Sequence, residues 1–597
     1  MTFQAPIAQI RFALEDVIGA GRLYGSQAFP DVTAELANAV LEEAGQFAEG
    51  VLAPLNRDGD THGAHLRDGK VVLSPGFKDA YQAFYKSGWS AVSGPAEYGG
   101  QGLPHTLGVA VQELWQSANM AFGLCPLLTQ GAIEALTAHG TPEQKQRYLH
   151  KLISGEWTGT MNLTEPQAGS DVGALKTKAV RAEDGTYRIT GQKIYITWGE
   201  HDAADNIVHL VLARLPDAPF GTRGISLFLV PRRIVKPDGS LGAHNDVRCV
   251  GVEHKLGIHG SPTCTMSYGD EGGAIGHLIG AENKGMAAMF TMMNSARLNV
   301  GVQGVAIAER AFQKALSYAK ERLQGKPYGL SHEMPDMIPI IQHPDVRRML
   351  LTMRTQVEAG RAICLANALA LDEARHGASA DAREWAKGRE EVLTPISKAW
   401  CTDMAVEVAS LGVQVHGGMG FIEQTGAAQF YRDARILPIY EGTNGIQAID
   451  LIGRKLGLQN GAAIKSLLDD CAATADLLSS PMPEIAAALS AAHRRLVTAT
   501  LWMQETMRKE AVKGLAGATP YLKALALLTG AHYLGRGAIA ATKKLQEGQG
   551  PQTFLTARVQ SAQFFAMNLL PQAHGLADAA TRGASTIIDA SIDELSA

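Results

Sequence analysis

The spacing of apolar residues changes along the chain, and the changes predict its domains. From residue 32 to about residue 154, apolar side chains recur at the spacing of an amphipathic helix. The clearest helical series consists of Leu36, Val40, Leu41, Ala44 and Phe47. Glycine and proline interrupt the series at 94–95 and 99–102. This part is therefore predicted to be a helical domain.

The apolar period shortens to that of a strand between residues 158 and about 279. Four segments there, 186–197, 206–215, 224–231 and 263–268, are separated by Gly, Pro and Asp and are predicted to be strands. Helical spacing returns from 285 to 456, notably over 286–323 and 345–375, as in a packed bundle. The predicted fold class is mainly α with a central β domain.

Two further segments flank these three. The leader before residue 31 carries apolar residues that we expect to lie across a neighbouring domain or subunit. The extension beyond Asn460 holds 12 Lys and Arg against 11 Asp and Glu, so we expect it to be helical and structural. The predicted domains are 1–31, 32–157, 158–280, 281–458 and 459–597.

Composition narrows the function classes. The 597 residues exceed what one core supports. A net charge of −5 gives no positive electrostatic field that would attract nucleic acid or an anionic membrane. The six cysteines form no Cys-x-x-Cys pair, so no metal site or disulfide is predicted. No signal peptide or membrane-spanning run is evident, and we expect a cytoplasmic protein without stable membrane insertion.

Glu441 is the residue whose sequence surroundings most clearly indicate a catalytic role. It follows an apolar run and precedes Gly442. The run consists of Ile436, Leu437, Ile439 and Tyr440. Loss of water on folding would raise the pKa of this carboxylate and suit it to act as a general base, and glycine would let a substrate approach. Taken alone, an acidic residue before Gly-Thr is more often a helix terminus or a turn.

Other segments extend this pattern. The chain contains Thr-Glu-Pro-Gln-Ala-Gly-Ser-Asp at 164–171, Tyr-Ile-Thr-Trp-Gly at 195–199, Ala-Lys-Glu-Arg at 319–322 and Gln-Val-His-Gly-Gly-Met-Gly at 414–420. With Tyr-Glu-Gly-Thr at 440–443, and in this order, they resemble the acyl-CoA dehydrogenases from about residue 36 to 456. The resemblance implies a helical domain, a β-barrel-like middle domain, a four-helix bundle and an added C-terminal helical domain.

The resemblance also implies a reaction. Glu441 is expected to remove the α proton of an acyl-CoA while FAD accepts the β hydride, which leaves a trans-2-enoyl-CoA. The backbone N–H of Glu441 and a ribityl hydroxyl of FAD are expected to polarise the thioester carbonyl. Electrons are expected to pass to electron-transferring flavoprotein.

The resemblance assigns residues to both ligands. Thr197 is expected to bond flavin N5, and Arg322 the pyrophosphate. The residues assigned to FAD are Met161, Thr164, Ser170, Ile196, Thr197, Arg322, His343, Gln414, Gly417, Gly418, Thr443 and Asn444. Those assigned to the substrate are Ser170, Asn294, Arg297 and Gly442. Because the 414–418 turn reaches FAD of an adjoining subunit in relatives, a homodimer or a dimer of dimers is expected.

Several positions depart from the family pattern. Many relatives have other residues at Met161, Gln167, Tyr195, Asn294 and Gly445. These departures concern the packing around the flavin and the CoA contacts, while the base and the N5 hydroxyl remain.

The substrate and one rival function class stay open. The long form, with its leader and extension, resembles a subgroup acting on short thioether acyl groups such as 3-methylthiopropanoyl-CoA. A medium- or long-chain dehydrogenase and an acyl-CoA oxidase are alternatives. A flavin-containing nucleic-acid-binding or assembly protein is the non-enzymatic one, which the balanced charge of the extension disfavours. The 417–420 glycines lack a Rossmann frame, and His416 and His259 are expected to be loop or core residues.

Overall fold

The computed structural model describes residues 3–326 and 337–597. Two compact units form. The bundle unit comprises Pro6–Glu42 and Val300–Ala597, and the sheet unit comprises Glu43–Asn299 with residues 3–5. Every strand named below lies in the sheet unit.

The helices follow in chain order. They are α1 Ile7–Phe12, α2 Ala34–Phe47, α3 Leu55–His62, α4 Phe77–Lys86, α5 His105–Ala118, α6 Met120–His139, α7 Pro142–Ser154, α8 Gly285–Glu321, α9 Pro344–His376, α10 Ala380–His416, α11 Ala427–Ala434, α12 Asn444–Asp450, α13 Ala462–Leu478, α14 Pro483–Lys509, α15 Ala511–Ala516, α16 Ala518–Gln546, α17 Gln552–Asn568, α18 Gln572–Thr581, α19 Ala584–Asp589 and α20 Ile592–Ser596. The long predicted helices 286–323 and 345–375 correspond to α8 and α9.

The described residues form more strands than predicted. They are β1 His65–Arg67, β2 Lys70–Val72, β3 Trp157–Asn162, β4 Lys178–Arg181, β5 Tyr187–Thr197, β6 Asn206–Arg214, β7 Ile225–Pro231, β8 Arg233–Val235, β9 Leu241–His244, β10 Val247–Val252, β11 Thr263–Tyr268 and β12 Ala274–Ile279. The four predicted strands correspond to β5, β6, β7 and β11. The strands of three or four residues escaped prediction because so few residues cannot establish a period of two, whereas β3, β10 and β12 are as long as β11 and were missed.

One eight-stranded sheet organises the sheet unit. Its order is β10-β11-β5-β12-β7-β6-β3, and β4 pairs with both β5 and β6. The β3–β6 and β4–β6 pairs are parallel, and the other pairs of this sheet are antiparallel. Hairpins β1–β2 and β8–β9 form separate two-stranded sheets. The predicted combination of helices with a central β domain is confirmed.

Helix α6 lies directly against strand β3. A Cβ on Gly159 would stand 2.4 Å from the Cβ of Ala132, so only glycine allows this approach. The Gly159 N–H donates to the hydroxyl of Thr129 on α6 at 3.1 Å. Residues of α6, β3, β6 and β7 share one apolar core. Strand β3, which leads into the 164–171 segment, is thereby fixed to a buried helix.

The leader packs inside the bundle unit. The ring of Phe12 contacts Phe554 of α17 edge to face at 5.7 Å. Gly537 of α16 lies against Phe12 and Val17, where a Cβ would be 3.3 to 3.4 Å from their carbons. Lys544 of α16 pairs with Asp16 at 2.7 Å. The leader therefore lies across helices of the C-terminal extension.

The extension shares buried surface with the earlier helices. Most residues of α16 from Tyr521 to Ala538 are buried, and α16 packs against α9, α13, α14, α17 and α18. Two hydrogen bonds cross this core, from Thr500 to Tyr521 at 2.7 Å and from Thr474 to His532 at 2.9 Å. Among the described residues, no helix is both long enough and apolar enough to cross a bilayer.

Removing the extension is expected to destroy solubility. Truncation after Gly461 would expose the apolar surface of α9 and α10 on which α13 and α16 pack. We expect the truncated chain to accumulate in the insoluble fraction and to lack a cooperative thermal transition. Truncation after Ala590 is the control, because α20 is exposed throughout. A soluble, cooperatively folding chain ending at 461 would contradict a structural role.

Candidate functional site

Strand β5 ends in a distorted segment that contains Thr197. Its register against β11 shifts between Cys264 and Met266, where β5 carries an extra residue. Tyr195 and Trp198 have φ of 61° and 51°, in the left-handed region. Tyr195 is exposed, and Trp198 is fully buried. Thr197 lies between them and is half-buried.

Trp198 fixes the end of this strand. Its indole N–H donates to the carbonyl of Ala121 on α6 at 3.1 Å, and its backbone N–H donates to that of Pro262 at 2.7 Å. The indole also stacks on Phe77 at 6.5 Å. The backbone that follows Thr197 is therefore held by buried contacts.

A buried ion pair joins β5 to the segment after β3. Lys193 is fully buried, and its ammonium donates to the Glu165 carboxylate at 2.7 Å and to the Leu163 carbonyl at 2.9 Å. The same carboxylate accepts from the backbone N–H of Lys176 at 2.6 Å and from the Thr177 hydroxyl at 2.6 Å. Burial raises the pKa of Glu165, but the Lys193 charge and these hydrogen bonds outweigh burial and lower it to about 2.

The candidate hydroxyls lie beside this ion pair. Thr164 adjoins Glu165, and its carbonyl accepts from the N–H of Ile194 at 3.0 Å. Thr164 is half-buried and Ser170 is exposed. Within the described residues, the side-chain hydroxyls of Thr164, Ser170 and Thr197 make no hydrogen bond, so all three remain available to a ligand.

Two assigned apolar residues occupy different environments. Met161 is half-buried and packs against the core that contains α6. Ile196 is 2% exposed and belongs to the sheet core, so its side chain is already covered by protein. A ligand could therefore contact Ile196 only through its backbone.

Helix α8 carries the two assigned polar residues Asn294 and Arg297. Arg297 is buried, and its guanidinium lies 3.4 Å from the Asn294 amide oxygen and 6.0 Å from the centre of the Phe290 ring. Asn294 is half-buried. The pair therefore occupies one turn of α8.

Glu441 lies in a left-handed turn of the bundle unit. Its φ is 57° and that of Gly442 is 83°. Of the apolar run that precedes Glu441, Leu437 is fully buried while Ile439 is 49% exposed. Glu441 itself is half-buried. The chain alone thus covers this carboxylate less than its apolar neighbours suggested.

Buried glutamines hold both sides of this turn. The hydroxyl of Tyr440 donates to the Gln303 amide oxygen at 2.5 Å, and the amide of Gln447 donates to the Glu441 carbonyl at 3.3 Å. Both glutamines are fully buried. Burial, and then the nearby charge of Glu441, raise the pKa of Tyr440 well above its usual value, so this phenol stays neutral.

Thr443 and Asn444 begin α12 and are occupied within the chain. The Thr443 hydroxyl accepts from the Ile446 N–H at 3.3 Å and caps the helix. Asn444 accepts from Lys398 at 2.9 Å and donates to Asp403 at 2.7 Å, both on α10. These side chains fix the exit from the Glu441 turn.

Gln324 brings Arg322 and His343 together. The His343 Nε2 lies 2.8 Å from the Gln324 carbonyl, and an Arg322 nitrogen lies 3.4 Å from the Gln324 amide oxygen. The carbonyl of Arg322 also accepts from the N–H of Ile340 at 2.8 Å. Arg322 is exposed and His343 is half-buried. Gln324 was absent from the predicted set.

The 414–420 segment comprises the last residues of α10 and the turn that follows it. Gly417, with φ of 60°, ends the helix, and its N–H donates to the Gln414 carbonyl. Gln414 and Gly418 are exposed, whereas His416 is buried and stacks on Tyr318 at 4.4 Å. His259, by contrast, is partly exposed and pairs with Asp60 at 3.0 Å, which raises the pKa of His259 to about 9.

Four family models match the chain. They are the N-terminal domain of acyl-CoA dehydrogenase at 34–156, the middle domain at 160–270, the C-terminal domain at 283–457 and the "Acetyl-CoA dehydrogenase C-terminal like" domain at 464–591. The chain belongs to the acyl-CoA dehydrogenase family. It is therefore an oxidoreductase of the CH–CH class, and this family uses FAD.

Curated relatives match over nearly the whole length. The chain is 50% identical to the 3-methylmercaptopropionyl-CoA dehydrogenase of Ruegeria pomeroyi, with 96% of each chain covered. It is 34% identical to a butyryl-CoA dehydrogenase of Syntrophomonas wolfei, with 97% of each covered. Both matches therefore include the C-terminal extension.

Solved structures share the fold. ACDH-11 of Caenorhabditis elegans, solved in complex with C11-CoA, has a TM-score of 0.78 at 19% identity, with 98% of this chain and 96% of that chain covered. A chain of the electron transferring flavoprotein of Acidaminococcus fermentans has a TM-score of 0.58 at 27% identity, with 70% and 97% covered.

Sequence reasoning missed the residues that position the candidates. Lys193, Gln303, Gln324 and Gln447 were not predicted, and Glu165 was noted only as part of a motif. The position of Lys193 inside a predicted strand is a signal that could have identified it, since a buried lysine needs a carboxylate partner. The glutamines give none, because their partners are backbone groups or distant in sequence.

Replacing Lys193 by methionine is expected to destabilise the sheet unit. The variant leaves the Glu165 carboxylate buried without its cation, which costs about 3 to 5 kcal/mol in unfolding free energy at neutral pH. Denaturant unfolding measures the loss. Arg181→Met is the control, because Arg181 and its acidic partners are partly exposed and water screens such pairs.

The same pair predicts a pH dependence. The folded pKa of Glu165 lies below its ordinary value of 4.5, so its stabilising effect is complete above that pH and is lost as pH falls towards 2. The difference between wild type and Lys193→Met should therefore shrink in acid. A difference that stays constant from pH 7 to pH 3 would assign the loss to packing instead.

Proposed function

We propose that the protein is an FAD-dependent dehydrogenase of short acyl-CoA thioesters, with 3-methylthiopropanoyl-CoA as its substrate. The observation that carries the proposal is the Glu441 turn, which presents a half-buried carboxylate on a left-handed backbone held by Gln303 and Gln447. The 50% identical relative named for 3-methylmercaptopropionyl-CoA supports the acyl group. Butyryl-CoA is the next candidate, from the 34% identical relative.

Glu441 is the proposed base for the α proton. An α C–H beside a thioester is a weak acid, so its removal requires a positioned base and a polarised carbonyl. The backbone N–H of Glu441 is the proposed donor to the thioester oxygen. When bound, FAD supplies the acceptor for the β hydride. A half-buried carboxylate loses more water once substrate covers it, which would strengthen it as a base.

The donors of the chain suit FAD chemically. Thr164, Ser170 and Thr197 offer hydroxyls that the described chain leaves uncommitted. Arg322 offers an exposed guanidinium, which suits a pyrophosphate. We assign these four residues to FAD together with Met161, His343 and the backbone of Ile196. We propose that Thr443 and Asn444 act on FAD indirectly, by fixing the position of α12.

Substrate contacts and assembly complete the proposal. We assign Ser170, Asn294, Arg297 and Gly442 to the acyl-CoA. Gln414, Gly417 and Gly418 are exposed together, next to exposed Met419 and Phe421. We propose that this surface meets a second copy, in a homodimer or a dimer of dimers. Electrons then pass to electron-transferring flavoprotein, and we expect a cytoplasmic enzyme.

Anaerobic flavin bleaching tests the reaction and the base. Wild-type protein should bleach with 3-methylthiopropanoyl-CoA and butyryl-CoA faster than with octanoyl-CoA or palmitoyl-CoA. Glu441→Gln should keep its FAD, measured by absorbance, but bleach at least about 100-fold more slowly because the proton acceptor is gone. Equal bleaching by Glu441→Gln would remove Glu441 from the mechanism. Repeating the assay in air separates a dehydrogenase from an oxidase.

Arg322→Ala tests the pyrophosphate contact. The variant should bind FAD about 10- to 100-fold more weakly, as expected for loss of a charge-assisted hydrogen bond. Titration of apoprotein with FAD, followed by flavin fluorescence, measures this. Arg347→Ala is the matched control, because Arg347 is exposed in the same unit and is not assigned to the cofactor. Equal affinities for both variants would contradict the assignment.

A further inference from the structure

The backbone at Glu441 is unfavourable without support. Left-handed φ is accessible to glycine but costs free energy for a glutamate, whose Cβ crowds the following carbonyl. Such a residue persists where its surroundings over-determine it, and these positions cluster at functional sites. Since the φ and ψ of Glu441 fix the direction of its side chain, the contacts that hold this backbone also aim the carboxylate.

Gln447 makes a contact with Glu441 itself. Its side chain is fully buried, and its amide N–H donates to the Glu441 carbonyl at 3.3 Å. Its amide oxygen is buried and has no hydrogen-bond partner among the described residues. A buried polar atom without a partner is destabilising. Gln447 is therefore a destabilising residue at this position, and the hydrogen bond that its side chain makes is to the Glu441 backbone.

Helix α12 does not need this bond in order to begin. Thr443 caps its first turn, and Asn444 fixes its start to α10 through Lys398 and Asp403. On the preceding side, Tyr440 is held separately by Gln303. The Gln447 bond acts on the remaining peptide, between Glu441 and Gly442.

We infer that Gln447 is a positioning residue for the catalytic base. By donating to the Glu441 carbonyl it holds the left-handed turn and keeps the carboxylate aimed at the α carbon. The inference rests on the proposed role of Glu441 as base. It predicts that Gln447 affects α-proton removal and leaves FAD binding unchanged.

The test compares three variants with wild type. Gln447→Met keeps the length of the side chain and removes the donor. Gln447→Glu restores a donor only when the carboxyl is protonated, and burial favours that form. Gln504→Met is the matched control, because the Gln504 amide also donates to a backbone carbonyl, that of Leu456 at 2.9 Å. Each holoprotein is incubated anaerobically with butyryl-CoA in deuterated buffer.

The readout is incorporation of deuterium at the α carbon, which requires removal and return of the α proton by the base. Gln447→Met should exchange about 10- to 100-fold more slowly than wild type, as expected when a base is misaligned. Its FAD content should be unchanged, and Gln504→Met should exchange at the wild-type rate. At pH 6, Gln447→Glu should exchange about threefold or more faster than Gln447→Met, because burial favours the protonated carboxyl, which can donate.

Two results would overturn the inference. One is exchange by Gln447→Met at the wild-type rate, or slowed no more than that of Gln504→Met. The other is exchange by the Glu variant at pH 6 that is no faster than exchange by the Met variant, which assigns any loss to altered packing. Wild-type protein that incorporates no deuterium into butyryl-CoA contradicts the proposed function, and this role with it.

Discussion

One fully buried ammonium organises the sheet unit. Lys193 binds the carboxylate of Glu165 and the carbonyl of Leu163, so strand β5 and the segment after β3 cannot move independently. Thr164 adjoins Glu165 on one side of this contact, and Thr197 lies on the same strand as Lys193 on the other side. A buried charge is tolerated only with good partners. The glutamate has several further donors, and the arrangement therefore costs less than an isolated pair.

In the bundle unit, neutral groups hold the backbone around Glu441. Around Glu441 the fixed points are amides and a phenol, and the nearest one, Tyr440, is kept uncharged by burial. Neutral donors can hold a backbone without neutralising the nearby carboxylate, whereas an ammonium at that distance would lower its basicity. The Glu441 peptide and Tyr440 are thus held by uncharged hydrogen bonds, and the charged partners Lys398 and Asp403 act further along the chain, on Asn444.

Much of the fold could be predicted from the sequence, for reasons that particular elements make clear. The long helices α8 and α9 and the strands β5, β6, β7 and β11 have enough residues to display their period. Short strands such as β8 and β9 do not. Glu441 could be named because glycine and an apolar run surround it, but its half-buried state depends on how far Leu437 and Ile439 turn inward. The positioning residues depend on contacts such as Gln303 with Tyr440, which lie 137 residues apart.

The six cysteines are all free and all buried. Burial raises the pKa of the Cys125 and Cys471 thiols well above the usual value, so neither reacts as a thiolate while the surrounding helices stay closed. Cys125 lies in α6 of the sheet unit, Cys364 and Cys401 lie in α9 and α10, and Cys471 lies in the extension. Alkylation of each thiol therefore records the opening of its own region, and the native sequence already carries a local stability probe in every major part of the molecule.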